Sequence, residues 1–189
     1  MRKLPLLIAA IVALPAAAQA QELDRATQQL QLNAVSPVAC VISQPTVGNQ
    51  TNASFSATGA SSGQVAITQF VDPQSAAPRA SSIELNLPLL CNASHRVRVS
   101  SANGGLLRAG ATGRGGQGGG FREFVAYTVG IDWSGQSVQL VTSNNNANIN
   151  ANQPGKGDMT IRIATPGGGN PLVAGQYSDA IVVEVQPAN

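Results

Sequence analysis

The stretch Ser82–Cys91, "SIELNLPLLC", determines the predicted fold class. Its apolar side chains recur at every second position, the period of a β-strand with one buried face: Ile83, Leu85, Leu87, Leu89 and Cys91. Pro88 falls on the opposite face and has no N–H to donate, so it predicts that this strand runs along a sheet edge or ends nearby.

Similar alternating segments recur along the chain and are separated by turn residues. They are "HRVRVSS" at 95–101, "FVAYTVGIDW" at 124–133, "DMTIRIAT" at 158–165 and "QYSDAIVVEV" at 176–185. Patterns typical of helices are nearly absent outside the first 29 residues. Short strands separated by turns are typical of an antiparallel sandwich, so we expect an all-β antiparallel sandwich. The Asn-rich stretch "NNNANINANQPGKG" at 144–157 is expected to be a polar loop.

Residues 1–20, "MRKLPLLIAAIVALPAAAQA", have the layout of a secretory signal peptide. Arg2 and Lys3 precede an apolar run, and Ala18-Gln19-Ala20 fits the small-x-small cleavage rule. The apolar run is short for a membrane span of about 20 residues, and no other segment is long and apolar enough to cross a bilayer. The sequence therefore predicts an exported protein with no membrane span.

The net charge changes when that segment is removed. The full chain has 11 basic and 9 acidic residues. Cleavage after residue 20 would leave 189 − 20 = 169 residues with 11 − 2 = 9 basic and 9 acidic side chains. A neutral chain without a basic patch or an aromatic platform argues against nucleic-acid binding, and its few charges weakly favour self-association.

Cys40 and Cys91 are the only two cysteines. An even pair in an exported protein predicts a disulfide. Two reduced thiols remain an alternative. A metal site is less favoured, because the one histidine, His95, is the only other good soft ligand.

Candidate catalytic residues are sparse. His95 stands beside Arg96 and is interpreted as a surface histidine at the start of a strand. Asp132 and Trp133 could form a sugar-binding pair, but Trp133 is in phase with the apolar residues before it, which favours the core. The acids show no paired spacing suited to general acid–base chemistry. We therefore expect no enzyme, no cofactor and no metal. Asn52 and Asn92 each begin an Asn-Ala-Ser triplet that matches the glycosylation sequon.

The stretch "QQLQLNAV" at 28–35 alternates as a strand would. Leu30, Leu32 and Ala34 share one face, and Pro37 then separates the segment from the next apolar run. Two interpretations stay open. The segment could be the first strand of a complete sandwich, or it could pair with another molecule.

The carboxy-terminal stretch "AGQYSDAIVVEVQPAN" resembles the closing signature of spore coat protein U domains, which typically has the form "pGxYsDtvxvxv". Gly175, Tyr177, Ser178 and Asp179 match it in order. Two further features are similar to the family: Tyr127 within "VAYTVGID", and Cys91 at the end of an apolar strand.

The resemblance implies a subunit of an archaic chaperone–usher pilus or of a related surface coat. In that family the domain is an immunoglobulin-like antiparallel sandwich that lacks its last strand, which the N-terminal segment of the next subunit supplies. Residues 21–36 would be the donor segment, with Leu30, Leu32 and Ala34 entering a groove, and residues 37–189 the pilin-like domain. The groove would lie beside the last strand, which carries Ile181, Val183 and Val185.

The implied partners are identical or related pilus subunits, a periplasmic chaperone and an outer-membrane usher. The implied location is the periplasm in transit and then the cell surface or an extracellular fibre, with a role in adhesion or biofilm formation. A carbohydrate-binding adhesin or lectin-like exported module is the main alternative, and an exported enzyme is the third.

Overall fold

The computed structural model describes residues 28–188 except 112, 116, 117 and 145. The predicted signal peptide at 1–20 and the first part of the predicted donor segment lie outside the described residues. Apart from two 3-10 turns, at Gly118–Gly120 and Thr142–Asn144, the regular structure consists of fourteen strands. They are β1 (Cys40–Ile42), β2 (Thr46–Thr51), β3 (Ala53–Gly59), β4 (Ser62–Ile67), β5 (Ser81–Cys91), β6 (His95–Ser101), β7 (Leu106–Arg108), β8 (Phe124–Val125), β9 (Thr128–Trp133), β10 (Gln136–Val141), β11 (Asn146–Ala151), β12 (Gly155–Thr165), β13 (Tyr177–Ser178) and β14 (Ile181–Pro187).

Two antiparallel sheets enclose the core and confirm the predicted all-β sandwich. The larger sheet has the order β1-β5-β12-β9-β10, with β2 pairing along the same edge of β5 as β1. The second sheet has the order β11-β6-β14. In the described part of the chain no helix is long and apolar enough to cross a membrane.

The core consists of the inward-facing residues of both sheets. Strand β5 is buried at alternate positions along its whole length, as its period of two predicted. Strands β6 and β9 show the same alternation. The largest fully buried apolar side chains come from both sheets: Leu89, Ile131, Met159, Val97, Val99 and Val129.

Pro88 does not place β5 at an edge, so that part of the prediction is wrong, although the strand does end nearby, at Cys91. Strand β5 lies between β12 on one side and β1 with β2 on the other. Ser43 donates its N–H to the Pro88 carbonyl at 2.9 Å, which shows that the Pro88 backbone faces the β1–β2 side. The missing N–H therefore falls where the chain passes between β1 and β2, and no ladder hydrogen bond is lost there.

The Asn-rich stretch is not a loop throughout, and this prediction is also wrong. Asn146–Ala151 forms β11, which pairs antiparallel with β6. Ile149 and Ala151 face the core, while Asn146, Asn148 and Asn150 face solvent. Alternation is present in the sequence, but its apolar members are mostly alanine, so the hydrophobic signal of a strand is weak.

Two small elements lie beside the main sheets. Strands β3 and β4 form a hairpin that pairs with neither large sheet. Val65 and Ile67, two apolar residues at alternate positions, lie in β4. Strands β13, β7 and β8 form a three-stranded sheet. The disulfide between Cys40 and Cys91 is present, as predicted, and these two residues are register partners where β1 meets β5.

Candidate functional site

An open apolar groove of about 670 Å³ lies beside the last strand of the domain. Its floor comes from the larger sheet and includes Ile83, Leu85, Ile161 and Ile163. One wall is β14 and the other is the β3–β4 hairpin. Ile181 and Val183 of the predicted groove strand line the groove, whereas Val185 does not.

Strand β14 has one unpaired edge, and this edge borders the groove. It pairs with β6 on its other side, and among the described residues no strand pairs with its free edge. The Ala102 N–H donates to the Ala180 carbonyl, and the Ala188 N–H donates to the Ser94 carbonyl. These two bonds show which residues of the β6–β14 pair are hydrogen-bonded to each other. In an antiparallel pair the hydrogen-bonded positions alternate, so the even-numbered residues of β14 bond to β6.

The odd-numbered residues of β14 therefore direct their backbone N–H and C=O groups toward the free edge. Ile181, Val183 and Val185 also pack their half-buried side chains against the core. A strand added here would find hydrogen-bonding groups along its edge and an apolar surface beneath it. That combination is what β-strand addition requires.

The hairpin wall contributes an aromatic side chain. Phe55 of β3 and Val65 of β4 are half-buried, pack against the core and line the groove. Residues 61–67 all line it, including members of both strand faces, so the hairpin turns the edge of β4 toward the groove. The outward positions of the hairpin are exposed.

Asp179 of the family signature organises the turn that leads into β14. One carboxylate oxygen accepts from the backbone N–H groups of Asn103 and Ala180, both at 2.8 Å. The other accepts from the hydroxyl of Tyr127 at 2.7 Å and from that of Ser101. Burial, followed by the hydrogen bond to Asp179, raises the pKa of Tyr127 far above its usual value. The carboxylate already has partners on both oxygens, which indicates a structural role.

Tyr177 and Gly175 hold the chain just before that turn. The Tyr177 hydroxyl donates to the Val173 carbonyl at 2.7 Å, and its ring lies 5.2 Å from that of Phe70, centroid to centroid. Burial raises the pKa of Tyr177. Gly175 has φ 149°, and a Cβ there would lie 3.1 Å from the Arg108 side chain. The signature residues thus shape one end of the groove.

The predicted donor residues are exposed and unpaired in the single chain. Residues 28–35 form no strand. Leu30 is 89% exposed and Leu32 98%, and Ala34 is exposed as well. Large apolar side chains with this exposure are typical of segments that bind something else.

His95 is not a surface residue, contrary to the sequence interpretation. It is 1% exposed. Its Nε2 accepts from the Trp133 indole N–H at 2.8 Å, and its Nδ1 lies 2.9 Å from the Ala93 carbonyl. This arrangement requires the neutral tautomer with the proton on Nδ1. Both ring nitrogens are used within the core, so neither is directed at a substrate.

The candidate sugar-binding pair does not form an accessible site. Trp133 is buried, as its phase predicted, and cannot stack on a sugar. Asp132 accepts from the Ser137 hydroxyl and pairs with Arg162, and these contacts, with Ser137 first, lower its pKa. Arg162 also pairs with Glu84 at 2.9 Å. These charges form a three-strand ion network on the outer face of the larger sheet.

The acidic residue Glu123 also has a contact within the domain: it is buried and accepts from Arg108 Nε at 2.6 Å. Among the described residues no group of three or more His, Cys, Asp or Glu side chains could hold a metal ion. The groove is therefore the feature of the described chain with the clearest capacity to bind.

Comparisons with protein families, with curated protein sequences and with solved structures find no match to this chain. The resemblance to spore coat protein U domains accordingly depends on the motifs quoted from the sequence. Two of those motifs lie beside the groove: Gly175, Tyr177 and Asp179 of the closing signature line it, and so does Tyr127.

Proposed function

We propose that this protein is a structural, non-enzymatic subunit of an extracellular pilus or surface coat, assembled by donor-strand exchange. It would cross the periplasm with a chaperone, pass an outer-membrane usher and serve adhesion or biofilm formation. The observation that carries the proposal is the unpaired edge of β14 above an apolar groove.

The groove offers the two kinds of contact that an added strand needs. Backbone groups of Ile181, Val183 and Val185 are available for ladder hydrogen bonds, which bind an extended segment regardless of its sequence. The apolar floor then selects segments with apolar residues at alternate positions. Binding of this kind depends on a strand with period two, not on a compact ligand.

The N-terminal segment has the matching pattern. Leu30 and Leu32 would each contribute roughly 1.5–3 kcal/mol if moved from near-complete exposure to full burial. Ala34 would fill a shallower position, and the intervening Gln and Asn side chains would face solvent. The segment cannot bury these residues while it stays unpaired, so a neighbouring copy or related subunit is the partner proposed.

The sheet arrangement also supports a missing strand. An immunoglobulin-type sandwich has one four-stranded and one three-stranded sheet, and the last strand of the chain lies at an edge of the latter. Here β6 and β14 take the positions of two adjacent strands of that sheet, and among the described residues no strand pairs with the other edge of β14. The free edge of β14 lies where the last strand of such a sandwich would pair.

The proposal is tested by adding a synthetic peptide of residues 28–36 to a chain that lacks residues 21–36. Amide exchange is then measured along β14. Binding in the groove should protect the amides of Ile181, Val183 and Val185, and leave those of Val182 and Glu184 unchanged because they already bond to β6.

A peptide with Asp at positions 30 and 32 is the matched control and should protect none of the three odd-numbered amides. If the native peptide also leaves all three unprotected at millimolar concentration, the groove does not accept this segment and the proposal is wrong.

A further inference from the structure

The two Asn-Ala-Ser triplets have a structural use that the sequence does not suggest. Asn92 follows the last residue of β5, and its side chain faces the start of the domain. Its Oδ1 accepts from the Ala39 N–H at 2.8 Å, and its Nδ2 donates to the Pro37 carbonyl at 2.7 Å. Its own N–H donates to the Ala39 carbonyl at 3.1 Å. Three hydrogen bonds thus hold a three-residue stretch that belongs to no strand.

This stretch, residues 37–39, directly follows the predicted donor segment, residues 21–36. The Cys40–Cys91 disulfide and the first register pair of β1 with β5 come directly after it. Val38, between the two bonded residues, is 60% exposed, so apolar packing does not hold the stretch in place. Pro37 has a restricted φ, which lowers the freedom of the backbone further. The Asn92 amide is therefore the main contact that fixes residues 37–39.

We infer that Asn92 is a positioning residue that fixes the point from which the N-terminal segment leaves the domain. With Asn92 in place, the free part of the chain ends at residue 36. Without its side chain, residues 37 and 38 would join the free part, while the Ala39 carbonyl keeps its bond from the backbone N–H of residue 92. Two residues can span roughly 7 Å when extended.

The consequence for a fibre rests on the proposed function. There, residues 28–36 would be held in a neighbouring groove, and residues 37–39 would be the connection between two subunits. A fixed connection restricts the angle between consecutive subunits, whereas a connection lengthened by two free residues allows a wide range. Asn92 would thus control the stiffness of the fibre without contacting the groove.

Asn52 provides a matched control within the same chain. It begins the other Asn-Ala-Ser triplet and makes three side-chain hydrogen bonds, to the Gln69 N–H and to the carbonyls of Gln69 and Ala80, where Asn92 makes two. It holds the hairpin region. Loss of the Asn52 amide should destabilise the domain at least as much, because Asn52 also has a φ of 51° that alanine disfavours, but only loss of Asn92 should change the junction.

The first experiment measures backbone order by NMR in the mature single chain. In the wild type the amides of Val38 and Ala39 should have order parameters of about 0.85, typical of rigid backbone. In Asn92→Ala the order parameter of Val38 should fall below roughly 0.6, and that of Ala39 should fall less because its carbonyl keeps the backbone bond. In Asn52→Ala they should keep the wild-type value. Low order at both amides in the wild type, or unchanged order in Asn92→Ala, would overturn the inference.

A second variant covers the case in which Asn92→Ala does not fold. Asn92→Asp keeps an oxygen for the Ala39 N–H and loses the donor to the Pro37 carbonyl. The order of Val38 should fall while that of Ala39 is retained, and equal order at both positions would contradict the bonding scheme.

Fibres of the wild type and both alanine variants are then imaged by electron microscopy. Asn92→Ala fibres should grow but have a persistence length at least two-fold shorter than wild-type or Asn52→Ala fibres. Equal persistence lengths would overturn the role in stiffness. If no fibre grows from the wild type while the NMR result holds, the proposed function fails and the anchoring role of Asn92 stands.

Discussion

Trp133 donates its indole N–H to Nε2 of His95 at a distance of 2.8 Å, and both side chains are buried between the sheets. The contact joins β9 of the larger sheet to β6 of the second sheet. It gives each buried polar group a partner and so avoids the penalty for an unsatisfied donor. The one histidine of the chain is thus part of the link between the two layers.

Replacing His95 should destabilise the domain, although its sequence context alone suggested a neutral change. His95→Ala leaves the Trp133 N–H without its partner and opens a cavity, so we expect a loss of about 2–4 kcal/mol in the free energy of unfolding. Urea denaturation measures it. In a Trp133→Phe background, His95→Ala should lower the free energy of unfolding by less, because no buried N–H donor is left without a partner. An unchanged denaturation midpoint for His95→Ala would show that the contact is not formed.

Gly155 should not tolerate a side chain. A Cβ there would lie 2.8 Å from Cζ2 of Trp133 and 3.3 Å from Cε1 of His95, and neither buried ring can move away freely. We expect Gly155→Ala to lower the free energy of unfolding by about 1–3 kcal/mol, as overpacking does. Gly130→Ala is the control, because its Cβ would meet nothing closer than 3.8 Å. It should be neutral or stabilise by up to about 1 kcal/mol. Equal denaturation midpoints for the two variants would contradict this account.

The two tyrosines should make stability fall at alkaline pH. Burial raises the pKa of both Tyr127 and Tyr177 in the folded state, whereas in the unfolded chain they titrate near pH 10. The folded state therefore holds these protons more tightly. Their contribution is fully present below about pH 10 and is lost as the pH rises further, by about 1.4 kcal/mol per pH unit for Tyr127. In Tyr127→Phe the free energy of unfolding should fall less steeply between pH 10 and 11.5 than in the wild type. Denaturation at each pH measures it. A slope equal to that of the wild type would mean that the phenol is accessible.

Leu30 and Leu32 should be needed for assembly and not for the stability of the domain. Replacing both with Asp would place unpaired carboxylates in an apolar groove, at a cost of several kcal/mol per site. The double variant should stay soluble with its chaperone, fail to elongate and keep the melting temperature of the chaperone-bound wild type. Deleting residues 21–36 should give the same result.

Size-exclusion chromatography combined with a thermal melt distinguishes this from a complete sandwich. If residues 28–35 were an internal strand, both changes would unfold the monomer. A wild-type chain that is stable, monomeric and unpolymerised without any partner would rule out donor-strand exchange.

Strong alternation made the main sheets predictable from the sequence. The period of two from Ile83 to Cys91 and from Val97 to Val99 specifies which face is buried, and burial follows it residue by residue. Strand β11 could not be found in this way, because Ala147 and Ala151 give little hydrophobic contrast with asparagine. Pro88 can lie inside β5 because the strands that pair with β5 on that side, β1 and β2, are interrupted opposite it. This interruption is a property of the strand pairing and is not visible in the local sequence.

The groove was only partly predictable. The strand from Ile181 was placed at the groove because of the signature that precedes it, and Ile181 and Val183 do line it. Strand β3 of the hairpin wall was missed, because residues 46–59 are rich in Ser, Thr, Gly and Asn and alternate weakly. The contact of His95 with Trp133 joins residues 38 positions apart, and no local pattern in the sequence indicates it.

The free edge of β14 also limits how the protein can be handled outside its assembly. Natural sheets protect exposed edges with lysine, proline or inward charges, since an open edge pairs readily with any extended chain. Across Ile181–Val185 the only charge is Glu184, and the other four residues are β-branched. Segments of this composition are typical of aggregation-prone strands. The edge that would accept a donor strand in the proposed fibre thus also exposes the chain to irregular aggregation whenever it is concentrated without a strand in place.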